Sequence, residues 1–108
     1  MDLKLTKDAK ELMVAAYHVY LKRRKEGMSK ADAKFIQADE IQRDYFPNVS
    51  RMDYMETVSE LIRTLGPANC FADLSGNFTL PDSTIVYMEN RFKNGLKDTA
   101  SFLAQFIP

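Results

Sequence analysis

The stretch from Leu65 to Asp82, L-G-P-A-N-C-F-A-D-L-S-G-N-F-T-L-P-D, constrains the fold more than any other part of the chain, because it reads as a two-stranded hairpin between helical segments. Gly66 and Pro67 stop the preceding helix: glycine tolerates the left-handed conformation past a helix end, and proline cannot donate the next helical hydrogen bond. Ser75-Gly76-Asn77 supplies the reversal. A two-residue type II′ turn would pair Ser75 with Phe78 and Asp73 with Leu80. Phe71, Phe78 and Leu80 then share the core face, and Cys70, Ala72, Leu74 and Thr79 the outer one. A three-residue loop shifts that register.

Helical periodicity surrounds the hairpin. Thr6 or Asp8 can cap a long helix that ends near Glu26 and is closed by Gly27. Leu12, Ala15, Ala16 and Val19 form one apolar face of it; Met13, Tyr17 and Leu21, with Val14 beside them, form a second. Only the strip of Glu11, His18, Lys22 and Lys25 is plainly polar, with His18 read as a surface residue. A helix apolar around most of its circumference must be covered on more than one side, by the C-terminal helix or by a partner subunit. Ser29 can then cap a short helical turn, Lys30 to Ile36. A second helix spans about Ala38 to Phe46, with Ile41, Tyr45 and Phe46 inward, and ends at Pro47-Asn48. Ser50 caps a third, Arg51 to Leu65, whose stripe is Tyr54, Met55, Val58, Leu61, Ile62 and Leu65. After the hairpin, Pro81 and Asp82 open a helix with Ile85, Met88 and Phe92 on one side. Past Asn94-Gly95, Leu96 to Ile107 carries Ala100, Leu103 and Ile107 in line.

These elements make one mainly α domain with a small β-hairpin (α+β): a winged helix-turn-helix with an added C-terminal helix. The helix-turn-helix occupies residues 38–65, the wing 68–80 and the C-terminal helices 82–107. At 108 residues the chain can bury one core but not two. The charged start, Met1 to Glu11, lacks the apolar core of a signal peptide, and Leu12 to Leu21 is too short to span a bilayer, so no membrane partner is expected. A lone Cys70 excludes an internal disulfide and fits a reducing cytoplasm.

Four segments carry a family resemblance: L-T-K-D-A-K-E-L at Leu5 to Leu12, Y-L-K-R-R-K-E-G-M-S-K at Tyr20 to Lys30, E-I-Q-R-D-Y-F-P at Glu40 to Pro47 and I-V-Y-M-E-N-R-F at Ile85 to Phe92. Through them the chain resembles the YjcQ-like family of small winged-helix proteins found in Firmicutes and their phages. Where the family pattern opens the post-wing helix with Thr and has Gly three residues on, this chain has Pro81 and Thr84. The family has no assigned activity, so the resemblance implies architecture and is silent on chemistry.

Most winged helices place the third helix in the DNA major groove and the wing along the backbone. On that reading Ser50, Arg51, Met52 and Arg63 join Lys30, Lys34 and Arg43 as contacts to double-stranded DNA, the cations neutralising phosphates, and the chain is a small transcriptional or phage-related regulator. The charge pattern pulls the other way. Fifteen basic residues balance fifteen acidic ones, so no overall field favours a polyanion. The outward face of the third helix carries Asp53, Glu56 and Glu60 against Arg63, and the wing tip has no Lys or Arg. The alternative is a non-catalytic protein-interaction module that offers this acidic face, or the C-terminal helix, to a basic protein partner.

Neither function requires catalysis. The sequence contains no G-x-S-x-G elbow, phosphate-cradling glycine loop or paired metal motif. His18 and Cys70 lie too far apart in the chain to support a catalytic pair or a transition-metal site. No cofactor or metal is expected, and a carboxylate row is better explained as a solvated or docking face than as a cation site. The run Lys22-Arg23-Arg24-Lys25 fits a helix C-terminus, where cations favour the macrodipole. Met13, Tyr17, Leu21, Phe102, Leu103, Phe106 and Ile107 are the candidate homodimer contacts, being apolar positions that a monomer must cover with its own helices.

Overall fold

The computed structural model describes residues 4–65 and 73–105, and the elements are numbered over those residues. They are α1 (Lys7–Lys25), α2 (Lys30–Ala33), β1 (Phe35–Ile36), α3 (Ala38–Tyr45), α4 (Arg51–Leu65), β2 (Phe78–Thr79), α5 (Asp82–Arg91) and α6 (Leu96–Ala104). The architecture is mainly helical with one small antiparallel sheet.

α1 is the centre of the molecule because its sequence is apolar nearly all round. Every residue from Leu12 to Tyr17 is buried, together with Ala9, Val19 and Tyr20. α4 covers one side and α6 another, with α2, β1, α3 and α5 filling the remainder. Its caps are those the sequence offers: Thr6 Oγ1 accepts from the Ala9 amide at 3.3 Å, and Gly27 adopts φ +93° after the helix, where residues with a Cβ are strained. Each large side chain buried along α1 contributes about 2 kcal/mol of hydrophobic stabilisation.

The α4 stripe is as expected, with Tyr54, Val58, Leu61 and Leu65 buried and Met55 and Ile62 packed against the core. Ile85, Met88 and Phe92 also face inward. Three local expectations are corrected. Lys30 to Ile36 is not one helical turn: α2 stops at Ala33, and Phe35–Ile36 is a strand. Phe35 pairs with Thr79 and Ile36 with Phe78, while the Leu80 amide donates to Lys34 O at 2.9 Å, so β1 owes its form to a distant partner rather than to local propensity. On α6 the buried positions are Thr99 and Leu103, and Ala100 is exposed. The Thr99 hydroxyl bonds back to Gly95 O at 3.0 Å, turning that side chain toward α1. Thr99 Oγ1 there lies 2.7 Å from His18 Nδ1, so His18 is half-buried rather than a surface residue.

The reversal takes the three-residue alternative. The Asp73 amide donates to Asn77 O at 3.1 Å and the Gly76 amide to Asp73 O at 3.2 Å; Gly76 has φ +87°. Ser75 therefore does not face Phe78, although Phe78 and Leu80 still point into the core. The first arm of the expected hairpin, with Cys70, Phe71 and Ala72, lies outside the described residues, as do Gly66 and Pro67.

Candidate interaction surface

The surface formed by the α3–α4 turn, the start of α4 and the reversal at 73–77 is built from a small set of polar ties. Ser50 Oγ accepts from the Asp53 amide at 3.1 Å and caps α4. Asp73 organises the tip: its Oδ1 accepts from the amides of Ser75 at 2.9 Å and Asn77 at 3.1 Å, a side-chain substitute for backbone partners that suits Asp to turns. Asn77 Oδ1 then accepts from the Ala38 amide at 2.7 Å, which satisfies the start of α3 where Gln37 supplies no side-chain cap.

Arg51 and Tyr54 fasten this tip to α4. Arg51 Nη2 donates to Ser75 O at 2.6 Å and Nη1 to Gln42 Oε1 at 3.1 Å, with Asp39 at 3.5 Å and the Tyr54 ring beneath at 5.7 Å. The Tyr54 hydroxyl donates to Gly76 O at 3.1 Å, and burial pushes its pKa up to about 12, so it remains a donor at neutral pH. Two large apolar side chains stand out from this frame: Met52 is 81% exposed and Leu74, at the tip, 99% exposed. Asp53 and Glu56, which follow Met52 on α4, are exposed as well.

The residues expected to meet phosphates are not gathered into one patch. Lys34 is half-buried with Nζ 3.0 Å from Asp82 Oδ1, Arg43 pairs with neighbouring Asp44 at 2.9 Å, and Arg51 is engaged with the tip. Lys30 is exposed on α2, and Arg63 is exposed near the far end of α4. Within the basic run, Arg23 turns inward and donates to Phe35 O and to Glu40 at 2.7 Å, while Arg24 donates to Met28 O. The acidic row is also divided. Asp53 and Glu56 are displayed, but both oxygens of Glu60 are bound to Thr6, at 2.8 Å from its amide and 2.6 Å from its hydroxyl.

Five of the seven candidate dimer contacts lie against the chain's own core. Met13, Tyr17 and Leu103 are buried, and Leu21 and Phe102 are packed against the core. α6, one of the two covers expected for α1, packs against it. Phe106 and Ile107 lie outside the described residues. No helix among the described residues is long and apolar enough to cross a membrane.

Two concavities border these elements. A cleft of about 690 Å³ between the end of α1, β1 and α3 is lined by charges of both signs, including Lys22, Arg23, Glu26 and Asp32. A smaller cavity of about 190 Å³ lies between the first half of α1 and the first half of α4, over Leu12, Phe46 and Tyr54, with Asp8, Glu11 and Asp53 around it. Glu11, taken from the sequence as a plain polar-strip residue, is half-buried there. The signal was present in Asp8 and Glu11 three positions apart beside Leu12, but their meeting with Asp53 depends on helix packing. Comparison with known protein families, curated proteins and solved structures gives no match.

Proposed function

We propose that the chain is a winged helix-turn-helix with an added C-terminal helix, used as a protein-interaction module rather than as a DNA clamp. The order of α3, a short turn and α4, followed by a reversal that returns to pair with β1, supports the fold reading. The observation that carries the function is the pair of exposed side chains at the place where such a fold meets its target: Met52 at the start of α4 and Leu74 at the tip. Large exposed apolar side chains rimmed by carboxylates suit a protein surface. They are poorly matched to phosphates, whose affinity comes from cations. Arg51, the cation best placed for a groove, spends its hydrogen bonds on Ser75 and Gln42.

A photo-crosslinking residue placed at position 52 or 74 is expected to give the same discrete protein adduct in cells, and one at exposed position 100 to give none. Fluorescence anisotropy with mixed genomic duplexes at low salt is expected to show no salt-dependent binding. Tight binding with a steep salt slope would instead establish the DNA-binding regulator, with Lys30 and Arg63 as the first contacts to test. Glu56→Lys separates the readings further, since it strengthens DNA binding and weakens capture by a basic partner. Glu60 is unsuitable for this reversal because it holds Thr6.

A further inference from the structure

We infer that Met52 is a site of reversible oxidation, where a peroxide converts the thioether to the sulfoxide and thereby weakens the contact this face makes with its protein partner. This rests on the interaction reading above and adds its regulation.

The methionines of the described residues differ widely in access. Met13 is 4% exposed and Met88 is fully buried, both within the core. Met55 packs against the core with its Sδ at Gly76, where an added Cβ would stand 2.8 Å from it. Met28, on the wall of the mixed-charge cleft, is 38% exposed, whereas Met52, in the first turn of α4, is 81% exposed. Oxidation needs direct approach of the peroxide to the sulfur. A sulfur lone pair attacks one peroxide oxygen, the O–O bond breaks, and with hydrogen peroxide the products are the sulfoxide and water. A thiol-dependent sulfoxide reductase reverses the step, the oxygen leaving as water while two thiols become a disulfide.

The change is confined to the surface. A sulfoxide is polar where the thioether is apolar, so it disrupts a core and equally an apolar contact between proteins. At position 52 the new oxygen stands in water, and the ties that build this face use other side chains. Ser50 caps α4, Arg51 holds Ser75 O and Gln42, and the Tyr54 hydroxyl holds Gly76 O. Oxidation there keeps the fold and removes an apolar group from the contact, which should weaken binding about tenfold.

The purified full chain treated with hydrogen peroxide and followed by fragment-resolved peptide mass spectrometry should carry sulfoxide at Met52 before Met28, Met55, Met13 or Met88. Its thermal transition should be unchanged while Met52 is the only one of these modified. Oxidation of any of the other four ahead of Met52, or a transition lowered at that stage, would overturn the site. In cells, the chain with the photo-crosslinking residue at position 74 should lose about nine-tenths of its adduct when peroxide is added, in line with that tenfold weakening. Met52→Leu, which keeps the volume without an oxidisable sulfur, should retain the adduct under peroxide. Met52→Gln, polar and of similar length, should lose it without peroxide. An adduct unchanged by peroxide in the wild type, or lost equally in Met52→Leu, would overturn the regulation. Absence of any adduct in untreated cells overturns the interaction reading and the regulation with it, whereas the order of oxidation is read on the chain alone, so the two failures are distinguishable.

Discussion

Glu60 completes the cap of a helix 54 positions earlier in the chain: its carboxylate accepts from the Thr6 amide at 2.8 Å and from the Thr6 hydroxyl at 2.6 Å. With its proton committed to Glu60, the hydroxyl turns a lone pair to the Ala9 amide. The pairing reproduces capping-box chemistry with a glutamate supplied by another helix. Glu60→Ala should cost about 1 kcal/mol, the scale of a helix cap discounted for the wetted carboxylate. Thr6 holds the Glu60 carboxyl below its ordinary 4.5, so the contribution is complete above that value and fades as pH falls below it. Urea denaturation of wild type and Glu60→Gln should show a gap at neutral pH that closes in acid.

Gly76 is irreplaceable by conformation and by space. Its φ is +87°, and an added Cβ would stand 2.8 Å from Met55 Sδ and 2.9 Å from Tyr54 Cε2. Gly76→Ala should therefore destabilise by about 2 kcal/mol, combining left-handed strain with overpacking. Tyr54→Phe, which removes only the hydrogen bond to Gly76 O, should cost about 1 kcal/mol. Thermal denaturation of the two variants gives the ranking.

What the sequence disclosed divides along physical lines. The Tyr54 to Leu65 stripe, the Thr6 and Ser50 caps and the inward Phe78 and Leu80 depend on neighbours within a few residues, and periodicity exposes such features. Phe35–Ile36 became a strand because Phe78–Thr79 pairs with it, and two residues carry no period of their own. Arg51, Glu60 and His18 were read as surface groups because the partners that engage them, Ser75, Thr6 and Thr99, are distant in the chain. The same holds for the cavity, whose carboxylates come from two helices and meet only through antiparallel packing.

Thr84 occupies the position where the resembled family pattern has glycine. It is fully buried, and its Oγ1 has no hydrogen-bond partner, which leaves the desolvation of a hydroxyl uncompensated. Thr84→Val keeps the shape and removes the orphaned group. It should raise stability by about 1 kcal/mol, whereas Thr84→Ala, which leaves a cavity, should not. A chemical-denaturation midpoint for each variant checks the difference.

His18 makes folding sensitive to acid. Thr99 Oγ1 has one proton and three polar neighbours: Gly95 O at 3.0 Å, Leu96 O at 3.2 Å and His18 Nδ1 at 2.7 Å. Carbonyls only accept, so the hydroxyl proton goes to the helix, and the approach to His18 is satisfied when Nδ1 carries hydrogen and donates. A second proton on the ring is opposed by burial first and by the Lys22 charge second, which lower its pKa from 6.5; the Tyr45 ring stands edge-on at 6.0 Å and adds no opposite charge at neutral pH. The unfolded chain takes up that proton near 6.5 while the folded chain resists it. Stability is therefore complete above about pH 6.5 and declines as pH falls below it. An NMR titration should place the His18 midpoint below 6.5. Between about pH 7 and about pH 5.5, wild type should lose more stability than His18→Gln, whose amide can still donate to Thr99 but does not titrate. Equal pH dependence in the two proteins would mean that the ring is protonated as readily in the folded chain as in the unfolded one.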